Sequence, residues 1–184
     1  MFSIRKFQIF FVFLSFCLFV TPHSWPIRAE YVLPYPSYMP GNKMYWISRR
    51  IDEISILWYW GNLTRIKYYQ KLADKYLVEA KTLFEYKQYL LAQNALSRSD
   101  GAFAEIPSYL ENAKKEGIDI KELKTRIGDA ASEHETILQR LSVELPNDYV
   151  WKPEQDNPTY FPIFSQLQSS LQNRVKVARR IEIL

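Results

Sequence analysis

Residues 72–96 read LADKYLVEAKTLFEYKQYLLAQNAL, and this stretch decides the fold class. Leu72, Ala73, Tyr76, Leu77, Ala80, Leu83 and Phe84 recur at spacings of three and four, which gathers them on one helical face. After Glu85-Tyr86-Lys87-Gln88 a second set begins with Leu91, Ala92, Ala95 and Leu96. The alanines at 73, 80, 92 and 95 let two helices approach closely, with Tyr76, Phe84 and Tyr89 filling around them. The stretch therefore predicts a tight antiparallel hairpin: one helix running to about Glu85, the next starting near Gln88. Glu79 and Lys81 fall on its outward side in this reading.

Upstream, Asn62-Leu63-Thr64 has the form of a glycosylation acceptor but reads better as the start of the hairpin's first helix, capped by Asn62 or Thr64. Before it, Asn42 is placed to cap an earlier helix whose inward face runs Ile47, Ile51, Ile54 and Trp58. Arg49, Arg50, Asp52 and Glu53 take its other side, and Gly61 suits a left-handed C-terminal cap. Residues 30–41, EYVLPYPSYMPG, carry three prolines and favour an extended, polyproline-like strap. Eight aromatic residues fall between 31 and 60. Their expected use is a core joining strap, first helix and hairpin; the competing use is a sugar-stacking or membrane-interface platform. Tyr31, Tyr35, Tyr38 and Trp60 are the candidate interaction surface, since Trp60 does not continue the apolar stripe.

Residues 1–29 read as an export signal. Arg5 and Lys6 precede an apolar run of 14 residues, Phe7 to Val20, and Ile27-Arg28-Ala29 offers a cleavage point. Fourteen residues is short of the roughly 20 a bilayer span needs, although an uncleaved anchor is the variant reading. Cys17, the single cysteine, lies inside this run after the bulky Phe16, which disfavours lipid attachment. Cleavage would leave a cysteine-free chain without disulfides or thiolate chemistry. Three of the 24 Lys and Arg lie in residues 1–29 and none of the 20 Asp and Glu do. Residues 30–184 thus carry 21 against 20, and the case for nucleic-acid binding falls away.

Downstream of the hairpin, Phe103, Ile106, Leu110 and Ala113 extend the helical pattern towards Lys115, but Gly101 and Pro107 predict a kink or break between Ser99 and Pro107. Gly117 stops it. Asp119 and Glu122 form a capping pattern for a fourth helix with Ile120, Leu123, Ile127, Ala131, Leu138 and Leu141 inward. Pro146 ends that helix, and residues 145–161 are expected to be loop. A fifth helix over 162–181 places Phe164, Leu167, Leu171, Val175 and Ala178 on one face. Its Arg174, Lys176, Arg179 and Arg180 are expected to be solvated and to favour the helix dipole. No strand pattern is visible. The expected architecture is all-α, an antiparallel bundle of four to five helices: a signal or anchor over 1–29, then a single domain over 30–184, with a strap over 30–41 and a helical core over 42–144.

The residues offer little chemistry. His134, between Glu133 and Glu135, is read as a surface or partly buried histidine without metal ligands at a suitable spacing. No serine has a nucleophile-elbow context, and five glycines are too few to suggest a phosphate-cradling loop. No catalytic, cofactor-binding or metal residues are assigned.

Two resemblances remain. Ala80, Ala92 and the Gln88-Tyr89 turn are similar to a single tetratricopeptide unit. More broadly, the sequence resembles a family of small exported bacterial helical domains of unknown function. The first half of the likeness comprises Leu33-Pro34-Tyr35-Pro36, Pro40-Gly41-x-x-x-Tyr45, Trp60-Gly61-Asn62 and the block LADKYLVEAKTLFEYKQYLLA. The second half comprises His134-x-x-x-Leu138, Leu145-Pro146 and Trp151-x-Pro153-Glu154. The resemblance implies an exported helical domain with no assigned chemistry. The expectation is a non-catalytic interaction or scaffolding role, periplasmic, extracellular or on the outer face of the cytoplasmic membrane, with an envelope protein as partner and the membrane touched only through an uncleaved N-terminus. The alternatives are an enzyme acting on wall polymers and a metal-responsive sensor using His134.

Overall fold

A computed structural model describes residues 31–153 and 157–184. The export signal or anchor expected over 1–29 lies outside the described residues. Five helices follow in order: α1 (Tyr45–Ser55), α2 (Asn62–Glu85), α3 (Tyr89–Lys115), α4 (Lys121–Glu144) and α5 (Ile163–Ile183). Between α4 and α5 a small hairpin pairs β1 (Tyr149–Trp151) with β2 (Thr159–Phe161). The all-α bundle read from the sequence is the fold observed. No helix among the described residues is long and apolar enough to cross a membrane.

Helices α2 to α5 form the bundle, each touching two others in the cyclic order α2, α3, α5, α4. Two apolar clusters fill it. One gathers Ile66 and Ala73, Phe103 to Ala113, Ile127 to Ala131, and Val177 and Ile181. The other gathers Leu77 to Phe84, Tyr89 to Leu96, Ile137 to Leu141, and Ile163 and Leu167. α2 and α4 enter the first cluster before the second, while α3 and α5 run the other way, so α2 is antiparallel to α3 and α4 to α5, whereas the touching pairs α3 with α5 and α2 with α4 run parallel. Ala80 and Ala92 are fully buried where α2 and α3 approach, as their spacing requires.

The links carry their own chemistry. α2 and α3 are joined by three residues with Lys87 in the left-handed region (φ 59°), so that Gln88 N–H donates to the Leu83 carbonyl at 2.9 Å. Gly117 takes a similar conformation (φ 78°) after α3, where Ile118 N–H reaches the Ala113 carbonyl at 3.1 Å. A side chain there would pay the left-handed penalty, which glycine avoids. Neither Asp119 nor Asn42 occupies the N-cap position expected of it, Ile120 and Met44 standing there instead; each binds the chain just ahead of the helix, Asp119 accepting from Lys121 N–H at 2.9 Å and Asn42 from Met44 N–H at 2.8 Å.

Several expectations are corrected. α3 continues without a break through Gly101 and Pro107, because Phe103, Ile106 and Leu110, all fully buried, hold both flanks in the core. The packing outweighs the one helical bond that the proline removes. Neither Asn62 nor Thr64 caps α2: Asn62 donates to Glu116 at 2.7 Å and Thr64 donates back to main-chain carbonyls. Gly61 has positive φ (82°) but leads into α2 instead of closing α1. Residues 149–151 and 159–161, read as loop, form an antiparallel ladder with Tyr149 opposite Phe161. Each strand is an aromatic or β-branched triple too short to show alternation, and Tyr149 seats it on Tyr89 at 4.6 Å between ring centroids. Glu79, placed outward, is buried. On α5 the buried residues are Ile163, Leu167, Ser170, Arg174, Val177 and Ile181, whereas Phe164 is exposed.

Candidate functional site

The α5 correction exposes the organisation of the interior. Between the two apolar clusters every bundle helix contributes a polar residue at the same level: Asp74 from α2, Ser99 and Asp100 from α3, His134 from α4, Ser170 and Arg174 from α5. His134, expected near the surface, is fully buried, and its Nε2 lies 2.8 Å from Asp74 Oδ1. The Tyr31 hydroxyl donates to Asp74 Oδ2 and accepts from Gln70 Nε2 at 2.8 Å. Arg174, expected in solvent, is also fully buried. Its Nη2 donates to Ser99 Oγ at 2.8 Å and lies 3.0 Å from Asp100 Oδ1. Ser99 in turn donates to the Ala73 carbonyl at 2.7 Å, and Ser170 donates to Asp100 Oδ2 at 2.6 Å. The Phe103 ring separates the two cationic candidates, 5.2 Å from the imidazole and 4.7 Å from the guanidinium carbon.

Burial sets the charges. It lowers the His134 pKa, assisted by the Arg174 charge and opposed by Asp74, so the imidazole is neutral at pH 7. Its Nε2–H then donates to Asp74, leaving Nδ1 as a buried acceptor without a partner among the described residues. Burial also brings Arg174 down to about 10 against the pull of Asp100 and Asp74, which still leaves it charged. The Tyr31 hydroxyl is raised by burial and then by Asp74. This arrangement has a histidine–carboxylate pair but buries it beneath the helices, with the nearby serine hydroxyls committed to structural bonds. No group of three His, Cys, Asp or Glu among the described residues is placed to hold a metal ion.

A pH dependence follows. The folded imidazole titrates below the ordinary value of about 6.5, so below that pH the unfolded chain binds a proton that the folded chain refuses. The His134 contribution is complete above about pH 6.5 and is lost as pH falls. Burial raises Asp100 and Glu79, which act with the opposite sign as pH falls further, towards the ordinary carboxylate range near about 4. Urea midpoints of the full chain should therefore decline from about pH 7 to about pH 5.5, and His134→Gln should flatten that decline. Equal slopes for the two chains would show that the imidazole is not held neutral.

The second unusual feature is α1, which is docked inside out. Its polar side faces the bundle: Tyr45 donates to Glu79 at 2.6 Å, Lys75 donates to Ser48 at 3.1 Å and to Asp52, and Tyr76 reaches Asp52 at 3.3 Å. The Tyr68 hydroxyl donates to the Asp52 carbonyl. No residue of α1 is buried. Most of the stripe expected to face the core points away: Ile51 is 56% exposed, Ile54 50% and Trp58 75%, while Ile47 is half-buried. Met44, Trp46, Leu57 and Trp60 are exposed alongside them. The helix period was legible, but a period carries no information about which side meets the protein. The overlooked signal lies on α2, where Tyr68, Lys75, Tyr76 and Glu79 share one face and supply polar partners for a helix.

Of the four surface candidates, Tyr35 and Trp60 are strongly exposed, at 96% and 80%, and Tyr38 is about half exposed. Tyr31 is not with them, since its hydroxyl is spent on Asp74 and Gln70. The strap bearing these tyrosines is tacked down by Tyr31, Leu33 and Met39, which pack against the two core clusters. No protein-family model, curated protein or solved structure matches this chain.

Proposed function

We propose that the protein is a non-catalytic interaction domain of the cell envelope, docking a protein partner through the outward face of α1 and the Trp58–Trp60 turn. The observation that carries this reading is the inverted α1: an amphipathic helix held to its own bundle by polar bonds, with most of its apolar stripe left uncovered. A contiguous apolar surface of this kind is costly in water unless something covers it. The rim favours a protein over a bilayer. Arg49 and Arg50 share the one Glu53 carboxylate, at 3.7 and 3.0 Å, which offsets half of the charge an anionic lipid surface would use. The Trp60 indole donates to the Leu57 carbonyl, which fixes the ring as a rigid anchor of the kind that dominates protein interfaces.

The Arg5–Val20 pattern and the likeness to exported helical domains support an envelope location. The burial of His134 supports a non-catalytic reading. A photo-crosslinking residue at position 58 of the full chain should give a discrete protein adduct in envelope extracts of the source cells. Ile51→Asp should remove the adduct while shifting stability by less than about 0.5 kcal/mol, because Ile51 contributes nothing to the core. Adducts with lipid alone, or with a second copy of this chain alone, would overturn the reading, as would an adduct indifferent to Ile51→Asp.

A further inference from the structure

A cavity of about 460 Å³ opens between the strap, α2 and α4. Its lining includes the buried Gln70 and Asp74, the latter a member of the polar layer. Three cations surround it: Lys67 and Lys71, one turn apart on α2, and Arg126 on α4. Val32 and Pro34 of the strap and the ring of Tyr59 complete the wall. None of the three has a hydrogen-bond or ion-pair partner among the described residues, and all three line one cavity. Elsewhere on α2, Lys75 is paired with Asp52 and Lys81 with Glu85. Asp74 does not serve them, since His134 and Tyr31 occupy its two oxygens.

We propose that this cavity binds a small organic dianion of the phosphate-monoester type. Lys67, Lys71 and Arg126 hold the charged group, and Tyr59 and Pro34 pack the organic part. The volume lies within the range of small-molecule sites, roughly 300–1,000 Å³. Three cations against the Asp74 carboxylate leave two positive charges in the lining, which a dianion balances and a monoanion does not. Arg126 supplies a guanidinium fork for two phosphate oxygens, and the lysines supply point charges from the opposite helix. The Gln70 amide, already bonded to the Tyr31 hydroxyl, ties the cavity lining to the strap. Occupancy would therefore hold Val32 to Pro34 against the bundle. The assignment is independent of the partner proposed for α1.

The test is calorimetry on the full chain at low salt and about pH 7.5, where a phosphate monoester has lost its second proton. The probes are phenyl phosphate, inorganic phosphate and benzoate. Phenyl phosphate should bind about tenfold more tightly than either of the others, which lack the ring or the second charge. Lys71→Gln and Arg126→Gln should each weaken it about tenfold, while Lys81→Gln, outside the cavity, should leave it unchanged. Both altered residues are exposed, so thermal melts of the variants should match the parent and separate lost binding from lost folding. Absence of binding, equal affinity for inorganic phosphate or benzoate, or unweakened binding in both Lys71→Gln and Arg126→Gln would each overturn the proposal.

Discussion

Asp74→Ala should destabilise the full chain by about 3–5 kcal/mol in a urea melt, as removal of one member of a buried charged network does. The substitution removes the acceptor of the His134 Nε2–H found among the described residues and the acceptor of the Tyr31 hydroxyl. It also withdraws one of the two carboxylates that hold up the pKa of the buried Arg174. A methyl group satisfies none of these, and it leaves the fully buried His134 imidazole facing an apolar group. Asp74→Asn, which keeps the shape and one good acceptor, should cost less. The strap should respond as well: with its hydroxyl anchor gone, amide exchange in residues 31–34 should accelerate in Asp74→Ala. A cost below about 1 kcal/mol would mean that the polar layer does not couple the helices.

Phe103→Ala should cost a similar amount, about 3–5 kcal/mol, through the cavity it opens. Phe103 is fully buried on α3, and its ring touches the imidazole of α4 and the guanidinium of α5. The ring supplies its negative face to a cation that has otherwise only one hydrogen bond and one carboxylate contact. Phe103→Leu separates the two contributions, since leucine retains most of the volume but offers no π face. It should cost about 1–2 kcal/mol, the sum of a shape change and a lost cation–π contact. If Phe103→Leu is neutral, Arg174 is stabilised by its carboxylate and hydroxyl partners alone.

Much of the bundle was legible because apolar periodicity reports what a helix must bury. Ala80, Ala92, Leu83 and Phe84 are all buried where their spacing puts them, and the helices end close to Glu85 and Lys115 as read. Turn chemistry was legible for the same local reason: Gly117 and Asp119 act through atoms a few residues away. The candidate surface was only partly legible. Tyr35, Tyr38 and Trp60 stand exposed as expected, but Tyr31 was grouped with them on composition alone. It differs in being opposite Asp74, a partner 43 residues distant.

The sequence by itself determined that long amphipathic helices fill most of residues 62–144 and 163–183, that the short link between α2 and α3 makes them antiparallel, and that α1 has one apolar and one polar side. Only the tertiary structure decided which side of α1 faces inward, that Pro107 stays within a continuous helix, and that Asp74, His134 and Arg174 meet in one layer. The physical reason is common to the first and the last; Pro107 is held by the apolar packing on either side of it. A polar side chain is expelled to the surface by its desolvation cost unless a partner meets it inside, and the partner comes from another helix. Asp74 with His134 and Arg174 with Asp100 are separated by 60 and 74 residues, and Lys75 with Asp52 by 23. No local period records such a pairing. Hydrophobic spacing therefore predicts the packing of Ala80 and Ala92, and it misplaces every residue whose burial depends on a distant charge.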